Sequence, residues 1–114
     1  MSDVQRMTTA PGWVKAHPAE ATSEREVMAS HDPASLALAL DAAVLDRGDV
    51  RPLLDRIKMP VEVVSGESDQ ATPPELGQEI AVSVGRGRHT IVDGAAHHVP
   101  TEQPDAIAAL LRDD

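Results

Sequence analysis

The sequence predicts an α/β fold in which a helical segment, residues 1–58, precedes a strand–helix–strand–helix unit, residues 59–114, with its two strands parallel. Three observations predict it. The run VEVVS at 61–65 follows Pro60 and is rich in β-branched side chains, as a strand buried in a parallel sheet should be. HTIVDG at 89–94 has the same character, and a proline-led helical pattern lies between the two. A strand, crossover helix and strand in that order give a parallel pair with a right-handed crossover.

Residues 1–18 are mixed polar with Pro11, Gly12 and Pro18, which predicts irregular chain or short helix, with Trp13 as the one large apolar anchor. Ser23 and Glu26 have capping-box spacing ahead of Val27 and Met28, and Asp32 followed by Pro33 is a strong helix start. In the helix from Pro33, Leu36, Leu40, Ala43 and Val44 form one apolar stripe that needs a partner, and Gly48 is the expected end. Asp49 can cap a short third helix in which Val50, Leu53, Leu54 and Ile57 share a face, with Pro52 in its first turn.

The strand at 61–65 should end at Gly66. Thr72 and Glu75 then have capping-box spacing around Pro73 and Pro74, predicting a helix with Leu76 and Ile80 inward and a turn over Gly85–Arg88. After the second strand, Pro104 opens a last helix whose Ile107, Leu110 and Leu111 make an apolar face.

Composition narrows the function classes. A chain of 114 residues supports one core, and with a single aromatic residue that core must be built from Ala, Val, Leu and Ile, which bury less area each. Ten Lys and Arg against nineteen Asp and Glu give a net charge of −9, which repels nucleic acid and anionic lipid. The absence of cysteine excludes disulfides and thiolate zinc sites. No apolar run approaches the ~18 residues of a membrane span and the start has no signal-peptide core, so a cytoplasmic protein is expected.

Asp69 and His97 both fall just past the carboxyl ends of the predicted strands, where ligands bind in such folds. A carboxylate there can fix the tautomer of the imidazole and stabilise its cation. Alone, Asp69 reads as a turn residue bonding its own backbone; paired with His97 it reads as the acid of a catalytic pair. His98 beside His97 lacks a third ligand at suitable spacing, so neither metal nor cofactor is expected.

The stretches VEVVSGESDQATPPE and HTIVDGAAHHVPTEQPDAI resemble the last two strands of the α/β-hydrolases, with Asp69 in the G-x-x-D turn and His97 in the G-x-x-H turn. Glu102, Gln103 and Pro104 stand where that family's E-Q-P opens its final helix, and His97 lies five positions before Glu102 as the family spacing requires. The usual glycine before the histidine is Ala96 here. Upstream, TAPGWVKAHP, Met28, Asp32 and DVRPLLDRIKMP resemble the lid of 3-oxoadipate enol-lactonases, so the similarity runs over roughly residues 8–112.

The resemblance implies a C-terminal fragment of an α/β-hydrolase fold, with 1–58 as lid and 59–114 as core. It also implies hydrolysis of a small ester or enol-lactone in aromatic catabolism through a serine acyl-enzyme. No G-x-S-x-G motif occurs, however: Ser68 in GESDQ lacks the second glycine, and Ser83 leaves a helix rather than entering one. The chain is therefore expected to be inactive alone, with Asp69 and His97 serving a serine from another polypeptide. The rival expectation is a non-catalytic remnant, either an interaction module or a poorly folding fragment. In the resembled family, the strand matching 61–65 pairs on one side with a strand lying before the lid. That partner's absence predicts dimerisation or association through 61–65.

Overall fold

A computed structural model describes residues 3–112. Helices α1 (Asp3–Thr8), α2 (Pro11–Ala16), α3 (Pro18–Ala29) and α4 (Pro33–Leu40) come first. A π turn at Asp41–Leu45 and a 3-10 turn at Arg51–Arg56 lead to β1 (Val61–Gly66), followed by α5 (Pro74–Ser83), β2 (Gly87–Val92), α6 (Val99–Glu102) and α7 (Pro104–Arg112). The strands pair in parallel, with Val61 opposite Gly87 and Gly66 opposite Val92.

The two faces of this ribbon are covered differently because side chains alternate along a strand. Val63 and Ser65 face α5, where Gly77 lets the helix come close: a Cβ there would meet the Ser65 hydroxyl and lie 2.8 Å from His89 Nε2. Val64 and Val92 face the other way and pack with Ala95, Val99, Ala106 and Ile107 as the apolar core. At the amino end, the Gln5 amide, 1% exposed, donates to the Ala21 carbonyl at 2.8 Å and ties α1 to α3.

Several expected boundaries move. Pro18, not the Ser23–Glu26 pair, opens α3, because a proline at the first helical position takes the start and leaves Ser23 inside the helix. Asp32 does cap α4, its Oδ2 accepting from Ser35 N at 3.0 Å and Ser35 Oγ at 2.9 Å. The helix then widens into the π turn and ends at Leu45, short of Gly48. Thr72 is no cap for α5: Pro73 takes that position, and the Thr72 hydroxyl is committed to Asp69. The second strand begins at Gly87 rather than His89, shortening the expected turn.

The expected inward faces are the larger correction. Leu36, Leu40 and Val44 of the stripe, Val50 just before the 3-10 turn and Leu53 within it, and Leu76 and Ile80 of α5 are all exposed, as is Leu111 of α7. The buried residues of α5 are Gly77 and Ala81. The periodicity is sound, but the surface these stripes would cover is not among the described residues.

Candidate functional site

Past β1 the chain continues the ladder for two residues, Glu67 N donating to Val92 O at 3.0 Å and Ser68 N to Ala95 O at 2.9 Å. It then turns, with Asp69 N on Gly66 O at 3.1 Å. Asp69 Oδ1 accepts the backbone N–H groups of Ala71 and Thr72, both at 2.9 Å, which fixes the carboxylate before any partner arrives. Oδ2 accepts from the Thr72 hydroxyl at 3.0 Å and lies 3.1 Å from His97 Nδ1.

His97 comes from the loop after β2, which turns at Gly94 with a φ of +73°. His97 N and His98 N both donate to Thr8 O, at 2.9 and 3.2 Å. The side chain is 39% exposed where that of Asp69 is 6% exposed, so one member of the pair is anchored and the other reaches solvent. Thr72 Oγ1 lies 3.2 Å from His97 Nδ1, so an Nδ1–H proton is shared between carboxylate and hydroxyl. Among the described residues, the hydrogen bonds of the ring are all made at Nδ1.

Burial pushes the Asp69 carboxyl up, but the Thr72 N–H, His97 and the Thr72 hydroxyl together pull it below its usual 3.8, so it is ionised at neutral pH. An ionised carboxylate on Nδ1 selects the tautomer that leaves Nε2 able to take a proton. The structure thus brings together the two residues singled out from the sequence.

Two contributors were not foreseen. The spacing of Thr72 and Glu75 predicts a helix cap, but an Asp followed three residues later by Thr is also the spacing of a side-chain turn. Glu102 served only as a spacing marker; its buried carboxylate accepts the N–H groups of Ala10 at 2.6 Å and of Ala96 and His98 at 3.1 Å.

The other hydroxyls lie elsewhere. Ser65 Oγ is 2.8 Å from His89 Nε2, whose Nδ1 is 3.0 Å from Gln78 Oε1, and Ser83 Oγ donates back to Glu79 O at 2.6 Å. Trp13 stacks on His17 with centroids 4.7 Å apart. The His97 and His98 rings are tilted by 54°, and no cluster of three metal-binding side chains occurs among the described residues. No described helix is long and apolar enough to cross a membrane.

A cavity of about 510 Å³ opens beside the pair, lined by Leu54, Leu76, Ile80 and Arg51 as well as Asp69 and His97. It is also lined by four consecutive residues, Val63 to Gly66. Because successive side chains alternate, four in a row can line one space only along the free edge of β1.

The sequence profile of TAP-like proteins, an α/β-hydrolase family, matches residues 41–113. The chain belongs to this family. This α/β-hydrolase chain is 41% identical over 81 residues to pimeloyl-[acyl-carrier protein] methyl ester esterases of Neisseria meningitidis, from serogroup C and from serogroup A. The match takes in 71% of this chain, but 31% of the serogroup C esterase and 25% of the serogroup A one. The chain thus spans under a third of the length of these curated relatives. Among solved structures, it superposes on a malate-bound thermophilic esterase from Thermogutta terrifontis with a TM-score of 0.81 at 26% identity, over 95% of this chain and 39% of that one. An alpha/beta hydrolase from a Medee basin deep-sea metagenome gives a TM-score of 0.69 at 19% identity over 95% of this chain and 40% of the other, which bears on the fold alone.

Proposed function

We propose that this chain supplies the acid and the base of a carboxylic ester hydrolase whose nucleophilic serine lies outside these 114 residues. The observation that carries the reading is the 3.1 Å contact between ionised, buried Asp69 and half-exposed His97 at adjacent carboxyl ends of parallel strands. In this reading Nε2 of His97 removes the serine proton as Oγ bonds to the ester carbonyl carbon, and Asp69 stabilises the resulting imidazolium. The imidazolium returns the proton to the departing alkoxide, leaving an acyl-enzyme. Water, deprotonated by the same nitrogen, then releases the acid and regenerates the serine.

Within this class the 41% identity to methyl ester esterases favours an open-chain ester, whereas the lid-like segment resembling enol-lactonases favours a small lactone. The test is a fusion of the preceding part of the meningococcal esterase to this chain, assayed on p-nitrophenyl acetate, a pimeloyl methyl ester and an enol-lactone, beside the 114-residue chain alone. The expected result is no turnover by the chain alone and turnover by the fusion that falls about a thousandfold or more with His97→Ala. Turnover by the folded fusion that is indifferent to His97 overturns the proposal. So does His97-dependent turnover by the chain alone, which would put a nucleophile within it. The preferred substrate separates the ester reading from the lactone one.

A further inference from the structure

We propose that Glu102 is a positioning residue for His97, holding the histidine loop to the amino-terminal segment so that the imidazole meets Asp69. This rests on the reading of His97 as the base and extends it to a residue that makes no contact with the reacting groups. The Glu102 side chain carries a carboxylate in a residue only 6% exposed, and its partners are three backbone N–H groups. Oε2 accepts from Ala96 and His98, the residues on either side of His97, each at 3.1 Å. Oε1 accepts from Ala10 at 2.6 Å, and two residues before Ala10 the Thr8 carbonyl accepts from His97 N itself at 2.9 Å. Three successive amides of the loop are therefore held between one carboxylate and one carbonyl that belong to different parts of the chain.

The chemistry of the group matters. A carboxylate only accepts, and two oxygens can serve three donors; a carboxamide of the same shape must turn its NH2 toward at least one of those N–H groups. Ala10 and Ala96 are 5% and 2% exposed, so water cannot take over a bond lost by either amide where it stands. The loop must open for them to be satisfied, and His97 moves with it.

The experiment uses the 114-residue chain uniformly labelled with 13C and 15N. In the wild type, scalar couplings across the hydrogen bonds from the Ala10, Ala96 and His98 amides to the Glu102 carboxylate carbon are expected, together with a His97 ring in the single Nδ1–H tautomer. In Glu102→Gln, the amides of Ala96, His97 and His98 should exchange about tenfold faster or more, while Val63 and Thr90 in the strands stay within about twofold. The His97 ring should become a mixture of tautomers. Absence of the couplings in the wild type, equal acceleration in loop and strands, or a loosened loop with an unchanged tautomer overturns the proposal. Asp69→Asn, run in parallel, should disturb the tautomer and leave exchange at the loop amides as it was. A tautomer indifferent to Asp69 counts against the acid–base pair and leaves the exchange result to judge Glu102 by itself.

Discussion

Asp69 is where burial and hydrogen bonding pull against each other. Desolvation favours its neutral form, yet the bonds from Thr72 and His97 outweigh it and hold the folded-state value below the usual 3.8. A carboxyl depressed on folding adds stability that is fully present above its unfolded value and lost as pH falls through the folded one. Asp69→Asn should therefore cost about 2 kcal/mol near neutral pH, and the gap from wild type should narrow in acid, below the usual carboxyl range. Urea unfolding at neutral and at acid pH measures it, and a gap of the same size at both would sink the account. The positions of Asp69 and His97 were legible in the sequence because each sits a fixed step past a strand end. Thr72 and Glu102 were not, because their roles are set by bonds that cross turns or span 92 residues, as from Glu102 to Ala10.

Among the elements, strands read best and helix starts worst. VEVVS reads as a strand because β-branched side chains fit a pleated, buried surface, and here it is β1. The capping-box pairs Ser23–Glu26 and Thr72–Glu75 are spacings only, and nearby prolines at 18 and 73–74 decide where α3 and α5 begin. The junction of β1 with the histidine loop depends on an element-scale feature, the bare backbone of Gly66. A Cβ there would run into the Ala96 carbonyl oxygen and lie 2.7 Å from that of Ala95. Both obstacles are backbone held in the loop that carries His97, so neither can swing aside as a flexible side chain would. Gly66→Ala should destabilise the chain by about 2 kcal/mol and separate the strand end from the loop. Thermal unfolding would register the first effect and loss of the His97–Asp69 nuclear Overhauser contacts the second; a variant that keeps wild-type stability and those contacts would show that the close approach is unnecessary.

For the whole molecule, size and surface disagree in a telling way. A compact domain of this length has a radius of gyration of about 13 Å, whereas this chain has 16.1 Å. Its accessible surface is 7984 Å², against about 6,000 Å² for a folded monomer of its mass. The excess, about 2,000 Å² on one chain, is more than the ~800 Å² each partner buries in a standard interface. Much of it is apolar and lies on the stripes whose periodicity was legible but whose partners were not, including Leu36, Leu40, Val44 and Val50.

The free edge of β1 lies beside Leu54, Leu76 and Ile80, which line the same cavity. Val61 N and Glu67 N both donate toward the β2 side, so alternation leaves the N–H groups of Glu62 and Val64 on the open edge. We therefore propose that the isolated chain associates through this edge and the apolar stripes around it. Sedimentation equilibrium at micromolar concentration should give a mass of at least two chains. Glu62→Pro removes an outward N–H while keeping the backbone ladder to β2, and should weaken that association about tenfold or more relative to Glu62→Ala, which controls for the side-chain bonds to Thr90 and Arg88. A wild-type chain that sediments as a clean monomer would mean that the exposed leucines are tolerated in water and the edge is not a pairing surface. An associated chain indifferent to Glu62→Pro would instead place the contact on the helical stripes alone. Association abolished by the proline would mark the edge as the pairing surface.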